Sequence, residues 1–253
     1  MNCYGITDTG KKRPNNQDRF SIFLPESDSP CCLISVCDGM GGANGGEIAA
    51  EMAINTYNGA VAEMLCDCDG DGAAMAIMSR AAEKANSAVF LASSENPDLN
   101  GMGTTLVSFF RFDESGASYL LNVGDSRAYL VNKDEIKQIS HDHSYVQRLV
   151  DSGELSPAKA ANHPQKNVIT RAIGIESEVI PDVKKLDTAG FTYLLLCSDG
   201  LHGEVKDQDI KKTIFDDGTE NIREKAEALV ALANKKGGSD NITVVLARLS
   251  NEE

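Results

Sequence analysis

With 253 residues, 42% of them apolar and 25% charged, the chain can bury a sizeable core and is not expected to be disordered. Its formal net charge of −14 would repel phosphate backbones and anionic bilayers, so neither nucleic acid nor a membrane surface is an expected partner. An anionic substrate would therefore have to be met by a local cation, a metal or an arginine.

Lys11, Lys12 and Arg13 are followed by no apolar run, so no signal peptide is expected. Short apolar runs at 3–8 and 18–24 read as strands around a polar loop that holds Pro14. Residues 31–37 are apolar almost throughout and predict a central strand, which ends on Asp38 and a glycine loop. Pairs of buried-type residues from Ile48/Ala49 to Met64/Leu65 recur every four positions and predict a helix, with Asn44 and Glu47 at capping-box spacing. A second helix is expected over about 73–93. Between them, Asp67–Gly72 opens like a calcium loop, but position twelve is Met78, so an acidic turn is the better reading.

From Gly101 the period changes. Stretches 102–112, 118–123, 127–131 and 135–139 predict consecutive strands of an antiparallel meander, followed by a short helix at 145–151. Residues 153–181 are polar and Pro-broken, which suits a mobile surface segment. A strand at 191–197, helices near 206–215 and 220–234, the second closed by Gly237 and Gly238, and a last strand at 242–249 complete the chain. This order, without strict βαβ alternation or an internal linker, predicts one α+β domain over 1–253. No run approaches the ~20 apolar residues of a membrane span. The seven cysteines, an odd number mostly in strand-like runs, read as free core thiols of a reducing, cytoplasmic compartment.

The glycines at 39, 41, 42, 45 and 46 never give the dinucleotide spacing Gly-x-Gly-x-x-Gly. Gly41 and Gly46 have P-loop separation, but Glu47 and Ile48 stand where Lys and Ser/Thr are required. His141 and His143 lack further ligands, as do Cys66 and Cys68, and no Gly-x-Ser-x-Gly elbow occurs. What remains is aspartate. An isolated Asp-Gly after a strand is usually a turn. Here the pattern recurs as Asp38-Gly39 and Asp199-Gly200, each after an apolar strand, and Asp240 heads a third. A carboxylate there is costly unless compensated, and hard oxygen donors select Mg²⁺ or Mn²⁺. Arg13 would pass for a solvated surface charge, yet arginine is the side chain best shaped to grip a phosphoryl group.

Taken in order, Arg13-Pro-Asn-Asn-Gln-Asp18, Asp38-Gly-Met-Gly-Gly42, Gly103-Thr-Thr105, Asn122-Val-Gly-Asp-Ser-Arg-Ala-Tyr-Leu130, Asp142-His-Ser144, Ser198-Asp-Gly-Leu201 and Ser239-Asp-Asn-Ile-Thr243 resemble the metal-dependent protein phosphatases, the type 2C Ser/Thr enzymes, in their compact bacterial form. The resemblance implies two antiparallel β-sheets packed as a sandwich, with pairs of α-helices on both faces. It implies hydrolysis of phosphoserine and phosphothreonine in proteins by a metal-activated water, at a centre of two Mn²⁺ or Mg²⁺ ions with provision for a third. By the same resemblance Asp38 bridges the two metals and the Gly39 carbonyl completes one of them. Asp199 and Asp240 hold the other, and Asp125 is the ligand of the weaker third. Asp18 orients the nucleophilic water, Arg13 grips the phosphate, and residues of about 145–180 form a flap beside the site. Phosphorylated proteins, those of a Ser/Thr kinase, are the implied partners of a monomeric enzyme. Two departures stand out. Met40 replaces a histidine of many animal members thought to protonate the leaving alkoxide, and Gln17 replaces a common Glu, which is expected to weaken metal affinity.

Overall fold

The computed structural model describes residues 1–23, 32–42, 45–65, 70–112, 117–161, 163–215 and 218–249. Two five-stranded antiparallel sheets form its centre. One runs β1 (Cys3–Asp8), β12 (Ile242–Arg248), β11 (Tyr193–Cys197), β8 (Arg127–Val131) and β9 (Ile136–Gln138). The other runs β10 (Asp182–Leu186), β7 (Ala117–Val123), β6 (Leu106–Phe112), β3 (Cys32–Cys37) and β2 (Arg19–Phe23). A two-residue pair, β4 (Gly39–Met40) with β5 (Gly103–Thr104), hangs at the end of β3.

The strands read as continuous apolar runs because both of their faces are covered. Ile34, Val36, Val107, Phe109, Leu120, Leu130, Leu194, Leu196 and Val245 point between the sheets. Alternate residues point outward to helices. Leu33, Cys37, Phe110, Tyr119 and Leu121 meet α1 (Gly45–Met64) and α2 (Gly70–Glu95). Tyr129, Tyr193, Leu195 and Leu246 meet α6 (Asp207–Phe215) and α7 (Ile222–Lys236). Each fully buried Leu or Ile contributes roughly 1.5–3 kcal/mol of transfer free energy. The result is the expected α+β sandwich with a helix pair on each face.

The meander is where the structure departs from expectation. β6–β7 and β8–β9 are hairpin neighbours, but β7 and β8 lie in different sheets, so the chain changes sheet at Gly124–Ser126. Hydrophobic pattern alone cannot show such a crossing, since both strands are buried on both faces. The predicted strand at 102–112 is interrupted at Thr105. α2 begins at Gly70, ahead of the expected 73, and Asp71 in its first turn accepts hydrogen bonds from Tyr119 Oη at 2.6 Å and Lys185 Nζ at 2.7 Å. The Asn44 cap, the Cys66/Cys68 pair and the turn at 66–69 lie outside the described residues.

The segment expected to be loosely attached is instead tied at its return. α3 (Tyr145–Asp151) and α4 (Pro157–Ala160) form its body. Tyr145 N–H then donates to the Val168 carbonyl at 2.8 Å, and Ser144 and Ile169 form a bridge. Further on, Ile173 is fully buried and exchanges backbone hydrogen bonds with Thr104 at 2.8 and 3.0 Å. Asn86 of α2 fixes the next residues, accepting from Gly174 N–H at 2.8 Å and donating to the Glu176 carbonyl at 3.0 Å. No helix among the described residues is long and apolar enough to cross a membrane.

Candidate metal centre

Asp38 follows the wholly buried β3 and is held by its main chain. Its N–H donates to Thr105 Oγ1 at 2.9 Å, and its carbonyl accepts from Thr105 N–H and Thr104 Oγ1, each at 2.9 Å. The side chain is thereby left free of backbone duty. Gly39 must be glycine: a Cβ there would lie 2.1 Å from the Gly46 carbonyl oxygen, because the start of α1 folds back onto it.

Asp18 lies just before β2 and is completely buried. Its Oδ2 accepts from Ser198 Oγ and Thr243 Oγ1, both at 2.7 Å, while its Oδ1 is buried with no partner in the protein. Thr243 Oγ1, its proton committed to Asp18, accepts in turn from Thr7 Oγ1 at 2.7 Å, and Thr7 accepts from Asn16 Nδ2 at 2.9 Å. Such a chain of donors orients every hydroxyl toward the carboxylate. Burial is the first cause that pushes Asp18 up to about 7, against these two hydrogen bonds.

Asp199 opens the short helix α5 (Asp199–His202) at the end of β11, and its Oδ1 is likewise buried and unpartnered. Gly200 is required because a Cβ would meet the Asn241 carbonyl oxygen at 2.0 Å. Asp240 precedes β12, with Oδ1 accepting from Asn241 N–H at 2.9 Å and Oδ2 from Arg13 Nη2 at 2.6 Å. Asp125 sits on the crossing between the sheets, 6% exposed. Its carbonyl accepts from His202 Nε2 at 3.0 Å, and the neighbouring Ser126 Oγ is 2.7 Å from Thr105 Oγ1.

These carboxylates feel one another. Burial first, then Asp18, Asp199, Asp125 and Asp240, raise Asp38 well above the carboxylate range. Burial, then Asp240, lifts Asp199 to about 6, with Arg13 opposing. Burial, then Asp199 and Asp142, lifts Asp125 to about 8, with Arg127 opposing. Buried like charges that hold protons this strongly mark a place where a cation is wanted. Among the described residues no three His, Cys, Asp or Glu side chains are closed into a ready cage. The fit to a hard divalent ion rests on the all-oxygen donor set and on the two orphaned buried oxygens, Asp18 Oδ1 and Asp199 Oδ1.

Every site residue expected from sequence lies at this end of the sandwich, with Arg13, half exposed, engaged by Asp240. The histidine pair separates: His141 is exposed and contacts Asp151 at 2.9 Å, while His143 is buried. Burial also raises the Cys37 and Cys197 thiols, which leaves them protonated core residues. Gln17 works on the loops, donating from Nε2 to the Gly42 carbonyl at 3.2 Å. Sequence reading passed over the supports: Ser198, Thr243, Thr105 and above all Asn241. Asn241 Oδ1 accepts from Gln17 N–H, and its Nδ2 donates to the carbonyls of Thr9 and Asn15, each at 2.9 Å. Each of these supports lies inside one of the phrases that carry the resemblance, Gly103–Thr105, Ser198–Leu201 and Ser239–Thr243, but their hydrogen-bond partners are distant in the chain and the local pattern does not show them.

Comparison with known proteins bears on family and fold. A family model described as protein phosphatase 2C matches residues 10–235. The serine/threonine phosphatase stp of Listeria innocua is 36% identical over 240 residues, spanning 95% of this chain and 92% of that protein. Protein phosphatase PhpP of Streptococcus pneumoniae is 35% identical over 248 residues, or 98% of this chain and 97% of the other. The crystal structure of serine/threonine phosphatase Stp1 from Staphylococcus aureus superposes with a TM-score of 0.90 at 34% identity, covering 98% of this chain and 95% of that one.

Proposed function

The chain belongs to the protein phosphatase 2C family, and on that footing we propose how its own residues carry the reaction. The enzyme is a metal-dependent serine/threonine protein phosphatase, which hydrolyses phosphoserine and phosphothreonine in proteins. In our reading Asp38, the Gly39 carbonyl, Asp199 and Asp240 would hold the Mn²⁺ or Mg²⁺ ions, and Asp125 would provide for a further one. When bound, these ions supply Lewis-acid chemistry, lowering the pKa of water and neutralising phosphoryl oxygens.

The protein's share is position and charge, which is most of what phosphoryl transfer requires. Asp18 is fixed through Oδ2 by Ser198 and Thr243, so its free Oδ1 has one direction in which to accept a proton from water. Thr104 and Thr105 hold the Asp38 main chain and leave its carboxylate free to serve as ligand. Arg13 carries a planar donor fork at the rim, suited to phosphate oxygens. Met40 offers no proton, so the leaving alkoxide takes its proton from solvent at the site. The single catalytic domain acts as a monomer in the cytoplasm on the products of a Ser/Thr kinase.

The observation that carries this reading is the buried, unpartnered Oδ1 of Asp18 and of Asp199 among mutually repelling carboxylates. The test is hydrolysis of a phosphothreonine peptide with Mn²⁺, with EDTA, and by Asp199→Ala. Activity that requires both Mn²⁺ and Asp199 is expected; turnover that survives EDTA would overturn the assignment.

A further inference from the structure

His143 stands where three segments meet, and it is only 6% exposed. Its backbone N–H donates to the Gly124 carbonyl at 2.9 Å, and its ring Nδ1 accepts from the Gly124 N–H at 3.1 Å. His143 thus meets both polar groups of Gly124, sharing the carbonyl with Asn122 Nδ2 at 3.2 Å. The His143 carbonyl accepts from Thr170 N–H at 2.8 Å, on the segment by which the flap returns. With Nδ1 turned to Gly124, the Nε2 edge of the ring faces both Asp182 Oδ2 at 3.2 Å, at the start of β10, and Arg171 Nη1 at 2.9 Å. Arg171 Nη1 serves the other oxygen of that carboxylate at 2.8 Å.

Gly124 has little freedom on its other side. Its φ is +106°, and a Cβ would meet Thr105 Cγ2 at 2.6 Å. The loop that bears Asp125 is thus pressed between Thr105, which holds Asp38, and His143, which belongs to the neck of the flap. His202 fixes the Asp125 carbonyl and Thr105 touches Ser126, but neither is bonded to the flap neck. His143 bonds to both Gly124 and Thr170, while Asn122 ties the Gly124 carbonyl to that of His141, two residues before His143.

We propose that His143 is a positioning residue that ties the Asp125 loop to the flap neck, so that the placement of the flap sets the placement of the Asp125 carboxylate. The consequence for binding rests on Asp125 being a metal ligand; the mechanical link does not. A phosphoprotein that moves the flap would, through this link, change the demand for metal.

Asparagine and glutamine separate the two halves of the imidazole. In His143→Asn the amide oxygen replaces Nδ1 and keeps the Gly124 bond; in His143→Gln the amide replaces Nε2 and leaves Gly124 N–H unpaired. Hydrogen exchange of the metal-free variants is the first readout. His143→Gln is expected to speed the Gly124 and Thr170 amides together by about tenfold, while His143→Asn stays near the parent. The second readout is the Mn²⁺ concentration giving half-maximal phosphopeptide hydrolysis, expected to rise several-fold in His143→Gln and not in His143→Asn. Acceleration confined to Gly124 would overturn the coupling, and identical behaviour of the two variants would overturn the bracket itself. Asp125→Ala is the control: if it leaves the Mn²⁺ demand unmoved, the ligand reading fails, and the exchange contrast still decides the role of His143.

Discussion

The guanidinium of Arg13 is paired with the carboxylate of Asp240, Nη2 to Oδ2 at 2.6 Å. By family likeness one should grip phosphate and the other a metal, yet here each occupies the other. The pair is at the rim, with Arg13 54% and Asp240 26% exposed, and exposed pairs contribute only about 0–1 kcal/mol. A divalent cation at Asp240 would release Arg13 at little cost, freeing the fork as the phosphate site becomes cationic. Loading of metal and presentation of the phosphate grip would in this sense be one event.

Arg13→Ala should therefore raise KM for a phosphothreonine peptide about tenfold, the value of a lost charge-assisted hydrogen bond. Half-saturation by Mn²⁺ should be no weaker than in the parent, because a competing cation has gone. Arg13→Lys should recover little, since it restores charge without the fork. Steady-state kinetics at saturating and limiting Mn²⁺ would check this; weakened Mn²⁺ binding with an unchanged KM would remove Arg13 from the phosphate site.

Asp38→Asn keeps the shape of the side chain and every main-chain bond to Thr104 and Thr105 while removing the carboxylate that a metal would take up. Turnover should fall by at least about 10³, on the scale of losing a principal electrostatic element of a site. The metal-free variant should be about as stable as the parent, since burial and the neighbouring Asp18, Asp199 and Asp125 already hold Asp38 protonated and asparagine is its neutral counterpart. Paired activity and thermal-melt measurements decide it, and retained activity would refute the bridging role.

How far this could be read from sequence depended on range. β3 and β11 were legible as unbroken apolar runs, and Asp38 and Asp199 as carboxylates misplaced at their ends. The crossing at Gly124–Ser126 was not, because β7 and β8 carry the same two-sided apolar pattern whether they share a sheet or face each other. The return of the flap was illegible for a related reason. Its polar composition says surface, whereas its anchorage at Thr104, Asn86 and His143 is made by backbone groups and a side-chain amide distant in the chain. Asn241 shows the limit most clearly: its neighbours in sequence hide that its amide reaches Thr9, Asn15 and Gln17.

Asn241 joins the last strand to the loop that carries Arg13 and leads into Asp18. Asn241→Ala removes three hydrogen bonds to backbone groups, which should cost roughly 2–3 kcal/mol of stability. With the loop loosened, the phosphopeptide KM should rise several-fold. Denaturant titration and kinetics on the same preparation would test this. A variant of parental stability and parental KM would show that the loop is held by other contacts.

The pH dependence of the metal-free protein follows from the direction of each shift. Unfolded aspartates release their protons near pH 4, whereas folded Asp18 is held up to about 7 and Asp125 up to about 8. Over that interval the folded state binds more protons than the unfolded chain, so stability falls as pH rises. His202 and His143 have the opposite sign: burial lowers both, the unfolded chain binds the extra proton, and stability is lost as pH falls below about 6.5. The two effects oppose each other below that point, and above it only the carboxylates remain. Between about pH 6.5 and 8 the metal-free protein should lose on the order of 2 kcal/mol, or about 4–8 °C in Tm. Saturating Mn²⁺ binds the deprotonated ligands, so the Tm difference between loaded and metal-free protein should widen across the same interval. Thermal melts in EDTA and in Mn²⁺ at four pH values would measure both slopes. A metal-free Tm that climbs from pH 6.5 to 8 would mean that these aspartates are already ionised in the empty site.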